Sequence, residues 1–162
     1  MSPLSVVCLG LLWISASSLC PEDFTREGES CYKVVPVNMS WADGWMICKT
    51  MRSFMVEIDS REEQLRVFGF LQRHHEQNKF WTGGTALYGN KQWTWMTSGN
   101  AIAYTNWIQG QPDNSYHSDT GNWDTCLALN MNKQAGWSDE QCEQTNYMLC
   151  EADAMSGSIL VG

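Results

Sequence analysis

Seven cysteines place the tightest limit on what this chain can fold into, and their positions decide what they can do. Cys8 lies inside MSPLSVVCLGLLWISASS, residues 1–18, a stretch with no charged side chain whose apolar run from Leu4 to Ile14 ends in small residues. That pattern reads as a secretory signal peptide cleaved near Ser17 or Ser18, with only the amino terminus supplying positive charge. The competing readings are a buried strand or an anchoring helix, but a bilayer span takes about 20 apolar residues. Six cysteines remain for the exported chain: Cys20, Cys31, Cys48, Cys126, Cys142 and Cys150. An even number in an oxidising compartment implies three disulfides, although six cysteines allow 15 pairings and spacing alone selects none. Zinc is disfavoured, because no two of them stand two to four residues apart.

Removal of the leader leaves about 144 of the 162 residues, enough for one domain and hardly for two. The expected layout is signal peptide 1–18, domain 19–152 and a loose tail 153–162. All 18 acidic and 10 basic side chains fall after the leader, and the net charge of -8 argues against nucleic acid or an anionic membrane as partner. Asn38-Met39-Ser40 is a glycosylation sequon, while Ser40 also suits a helix cap.

CYKVVPV, Cys31 to Val37, is strand-like, and Ser40 opens SWADGWMICKTM, where Trp41, Trp45 and Cys48 recur at helical spacing. A second helix starts at Ser60, where Ser60 and Glu63 make a capping-box pattern and Leu65, Phe68 and Leu71 form an apolar stripe ending before Asn78. FWTGG and ALYGNKQWTW read as β-structure, with Tyr88, Trp93 and Trp95 around a turn at Asn90. From Met96 to Trp123 the chain has little periodicity. Loops longer than about 15 residues are functional or disordered, and Tyr104, Trp107, Ile108, Tyr116 and Trp123 argue for order here. LALNM (Leu127, Leu129, Met131) alternates as a half-buried strand, and YMLC closes the domain. The order implies an α+β fold whose ends meet in one sheet.

Catalysis finds little support. The histidines are His74, His75 and His117, and the first two sit where a helix C-terminus favours positive charge. Nucleophile-elbow, zincin, phosphate-loop and dinucleotide patterns are absent from the sequence, and glycoside cleavage by paired carboxylates usually needs a deep cleft. GQPDNSYHSDTGNWDTC instead gathers the oxygens of Gln111, Asp113, Asn114, Asp119, Asn122 and Asp124. Calcium takes six to eight oxygen ligands at about 2.3–2.6 Å. A cis bond before Pro112 would aim Gln111 and Asp113 at one point, Asp124 returns from the far end of the loop, and Asp139 follows Trp137. Turn preference accounts for any one of these residues; only the set argues for a site.

These residues resemble a C-type lectin domain across almost all of Cys20 to Cys150. The resemblance rests on Trp41 and Cys48, on MVEIDSREEQ, on FWTGG, and on WTW, YTNW, QPD, GWSDEQC and YMLCE. It implies two helices packed on small antiparallel sheets with a long ligand-binding loop region, and the pairs Cys20–Cys31, Cys48–Cys150 and Cys126–Cys142. In the family a Gln-Pro-Asp triplet accompanies galactose and N-acetylgalactosamine, because exchanging amide and carboxylate across the proline reverses which side donates and which accepts. The implied calcium ligands are Gln111, Asp113, Asp124 and Asp139, with Ser138 where the family has Asn and Asp124 where Glu is common. Ser115 replaces a Trp that packs on the sugar, so Tyr116, His117 or Trp123 would take over the stacking, Tyr116 first. Two other readings remain: a lectin that binds sugar without calcium, and a protein-binding or ice-binding domain on the same fold. A soluble secreted lectin of this type implies host defence, and multivalency through a non-covalent homodimer would strengthen binding by a shallow site.

Overall fold

The computed structural model describes residues 20–74, 78–86, 92–132 and 134–154. The proposed leader, His75, Tyr88, Asn90 and most of the proposed tail lie outside the described residues. β1 (Thr25–Glu27) and β2 (Ser30–Met39) form the opening hairpin. Ser40 ends β2 and caps α1 (Trp41–Thr50): its hydroxyl accepts from the Asp43 amide at 3.2 Å, which satisfies one of the free donors of the first turn. Trp41, Gly44 and Cys48 face inward, so Trp41 and Cys48 of the expected face are buried while Trp45 is only partly covered. Gly44 is needed there, since a Cβ would fall 1.8 Å from the sulfur of Met148.

After β3 (Phe54–Met55), α2 (Arg61–His74) begins with a variant of the expected capping box. The Glu63 amide donates to Ser60 Oγ at 3.2 Å, while the Glu63 carboxylate reaches back to the amide of Asp59 at 3.0 Å. The apolar stripe differs from the expected one. Leu65 is 59% exposed, and the buried face is Gln64, Val67, Phe70 and Leu71 with Phe68 partly covered. The correction follows from helical geometry, since 64, 67 and 71 share one side while 65 lies about 100° round the axis.

The remaining strands are β4 (Lys79–Thr85), β5 (Thr94–Trp95), β6 (Tyr116–His117), β7 (Asn122–Trp123), β8 (Cys126–Asn130), β9 (Gly136–Glu140) and β10 (Asn146–Asp153). The main sheet runs β1-β2-β10-β4-β8-β9, with β3 on β10 and β5 on β4, so the last strand pairs with β2 of the opening hairpin and the two ends of the domain meet in one sheet as expected. It is mixed rather than wholly antiparallel, because β10 pairs β4 in parallel. β8 also departs from the half-buried strand expected of LALNM: Leu127 and Leu129 join a cluster with Val67, Phe70 and Trp137, while Cys126 and Ala128 join one with Trp41 and Met148. A central strand covered on both faces has no polar side to display. The three disulfides are Cys20–Cys31, Cys48–Cys150 and Cys126–Cys142, the pairing that the resemblance implies.

Candidate functional site

The long loop is held to β9 by its aromatics. Trp107 lies 5.6 Å from Trp137 and 5.1 Å from Trp93, and Tyr104 lies 5.8 Å from Trp137, the contacts with Trp137 being edge-on. Backbone bonds of 2.9 Å run from Ile108 N to Trp137 O and from Trp137 N to Asn106 O. This approach requires Gly136, whose Cβ would stand 2.8 Å from Ile108 Cγ1. Gly110 then turns the chain at a φ of 91°, and the Gln111–Pro112 bond is cis.

Beyond that turn the expected residues meet. Asp139, almost fully buried on β9, accepts from the amide of Asp113 at 3.0 Å and from that of Asn114 at 2.7 Å. Its own amide donates to Gln111 Oε1 at 3.1 Å, and Gln111 Nε2 donates to Asp113 Oδ2 at 3.1 Å. Asp113 Oδ1 accepts the Ser115 amide and hydroxyl at 2.9 and 2.5 Å. Asp124 Oδ1 lies 3.0 Å from His117 Nε2, and the Asp124 amide donates to Ser115 O at 3.0 Å. Gln111, Asp113, Asp124, Asp139 and His117 therefore belong to one hydrogen-bonded neighbourhood. Ser138 is turned away from it: neighbours on a strand face opposite sides, and its hydroxyl donates to Glu140 Oε1 at 2.8 Å on the face where Lys79 also binds Glu140. Asp119 remains exposed.

Charge is concentrated here. Hydrogen bonding from Ser115 holds the Asp113 carboxyl below its ordinary range. Burial pushes Asp124 up despite the His117 contact, with the charges of Asp113 and Glu140 adding to it. Burial likewise pushes Asp139 up against the two loop amides it accepts. Two residues that the sequence named without these roles complete the arrangement. Asn114 takes a φ of 50°, and Ser115 anchors Asp113. An Asn directly after the triplet was the available signal, since Asn tolerates the left-handed region well.

The donor chemistry of Gln111, Asp113, Asp124 and Asp139 suits a hard cation, being all oxygen with three carboxylates against one histidine. Ser138, bonded to Glu140, does not fit that set. As the side chains stand, no cluster of three or more His, Cys, Asp or Glu able to hold a metal is found among the described residues.

Residues 37–152 match the profile of the lectin C-type domain, and the chain belongs to that family. Perlucin of Haliotis laevigata is 29% identical over 137 residues, covering 83% of each chain. Asialoglycoprotein receptor 2 of Mus musculus is 29% identical over 138 residues, 85% of this chain but 43% of the receptor. Among solved structures, the human scavenger receptor C-type lectin carbohydrate-recognition domain superposes with a TM-score of 0.73 at 30% identity, covering 83% of this chain and 99% of that domain. The protein is thus a carbohydrate-binding type of domain and not an enzyme. Among the described residues no helix is long and apolar enough to cross a membrane.

Proposed function

We propose that the chain is a secreted lectin for terminal galactose or N-acetylgalactosamine, held by Gln111, Asp113, Asp124 and Asp139. One observation carries this reading: the amide of Gln111 and the carboxylate of Asp113 lie side by side across Pro112, bonded to each other and, through Gln111 Oε1 and the Asp113 amide, to Asp139. A vicinal pair of hydroxyls needs donors and acceptors in fixed order, which an amide beside a carboxylate supplies. A wrong epimer would leave one of these groups unpaired, at about 1–3 kcal/mol for a buried group. The asialoglycoprotein receptor relative, whose name marks its ligand as a glycoprotein lacking sialic acid, is in keeping with this. Calcium at these four residues would neutralise the crowded carboxylates and coordinate the hydroxyls. Three disulfides favour an oxidising, extracellular setting. With that go the leader at 1–18, a glycan on exposed Asn38, a non-covalent homodimer and a part in host defence.

A second reading, sugar binding without calcium, has its own support. Ser138 is committed to Glu140, and each oxygen-bearing ligand candidate already has a hydrogen-bond partner within the chain. A glycan array run in calcium and in chelator separates the two. Binding of galactose but not mannose, lost in chelator and lost in Asp113→Ala, is the expected result. Galactose binding that survives the chelator selects the second reading, and an array without sugar binding in either buffer leaves a protein- or ice-binding domain.

A further inference from the structure

Tyr116 and Trp123 are large hydrophobic side chains left in water, 53% and 49% exposed. They face each other across the two-stranded β6–β7 hairpin, with ring centroids 4.9 Å apart and planes inclined by 47°. Large apolar surface gathered at one exposed spot marks a contact surface more often than a structural element. The hairpin is tied to the oxygen cluster at both ends. His117 meets Asp124, the Asp124 amide bonds Ser115 O, and the Ser115 hydroxyl bonds Asp113. Thr120 adds a 3.5 Å bond to Gln141, just after β9. The two tilted rings together expose more apolar surface beside the oxygen cluster than the single stacking ring expected for the galactose itself.

We propose that Tyr116 and Trp123 form a second subsite, which takes the sugar adjoining a terminal galactose, an equatorially substituted hexose of the glucose type. This rests on the galactose reading above. The chemistry follows from the sugars. The axial 4-hydroxyl of galactose leaves it one apolar face, whereas a glucose-type ring carries its hydroxyls around the rim and presents bare C–H on both faces. Such a face desolvates an aromatic ledge without stranding a polar group. The ligand class is then a galactose-terminated disaccharide or longer glycan rather than a lone monosaccharide.

The test is the ratio of affinities for lactose and galactose, measured by calorimetry in one buffer. Wild-type protein is expected to bind lactose about tenfold more tightly than galactose, a difference of about 1.4 kcal/mol. Tyr116→Ala and Trp123→Ala bring the ratio near one, and Tyr116→Phe keeps it, because the ring and not the hydroxyl makes the contact. A wild-type ratio near one, or a tenfold ratio that persists in both alanine variants, overturns the proposal. The wild-type ratio needs no variant to fold. If galactose and lactose both fail to bind, the galactose reading itself has failed, a result distinct from galactose binding without a lactose advantage.

Discussion

Asp139 shows how much of a proposed binding site can be spent on holding a loop. Both of its carboxylate oxygens accept backbone amides of the triplet loop, from Asp113 and Asn114, and its own amide holds Gln111. Asp139→Ala leaves two amides at a partly buried spot without acceptors, so we expect a loss of about 1–3 kcal/mol in denaturant unfolding together with loss of the proposed galactose binding. Asp139→Asn keeps one acceptor oxygen and should show the smaller stability loss of the two. A fully stable alanine variant would mean that the loop does not depend on this residue. The sequence placed Asp139 in the site through its position after Trp137 and Ser138, but could not show that its partners are backbone amides, because every residue except proline carries one. It also placed Ser138 with the ligands, and strand alternation turned that side chain toward Glu140.

At the scale of elements, patterns that involve one exposed and one buried side were legible, and those buried twice were not. The cap at Ser40 and the inward Trp41 and Cys48 could be read directly, whereas β8 is packed on both faces and its alternation carried no information about solvent. β10 holds the least expected feature. Glu151 is 6% exposed and lies in register with Tyr32 of β2 and Phe54 of β3. Burial pushes its carboxyl up to about 7, with the charges of Glu63 and Asp153 adding to the effect and a Ser30 hydrogen bond and one from Glu57 opposing it. Tyr32 is pushed upward as well, by burial first and then by Glu151, with Arg66 opposing. A carboxyl whose folded pKa exceeds its unfolded value binds its proton more tightly in the folded state. Its stabilisation is therefore complete below about 4.5 and lost as pH rises through about 7. Glu151→Gln should gain up to about 3 kcal/mol at pH 8 and almost nothing at pH 4, read from unfolding curves in chelator. Equal effects at both pH values would show that Glu151 does not titrate in this range.

The molecule as a whole is closed by three bridges of very different span, and this difference separates stability from binding. Cys48–Cys150 encloses a separation of 102 residues and joins α1 to β10, whereas Cys126–Cys142 spans 16 and Cys20–Cys31 spans 11. Constraint of the unfolded chain grows with the loop closed, about 4.7 kcal/mol for 100 residues and about 3 for 15, so replacing each pair by alanine should cost stability in that order. Burial sets the longest bridge apart, since Cys48 and Cys150 both have no exposed surface, while each of the other two joins a fully buried cysteine, Cys126 or Cys31, to a partly covered one, Cys142 or Cys20. Binding should follow another order. Cys126 stands two residues after Asp124 and pairs in register with Glu140, next to Asp139, so this bridge fixes the two carboxylates on β9 and at the loop exit relative to each other. Loss of Cys126–Cys142 should thus weaken the proposed galactose binding strongly while leaving more stability than loss of Cys48–Cys150, and loss of Cys20–Cys31, at the opening hairpin, should leave that binding near wild type. Calorimetric unfolding and sugar titration of the three double variants provide both orders. If binding simply tracks stability across them, the loop and β9 are positioned by general packing, and the bridge beside Asp124 has no special part in shaping the site.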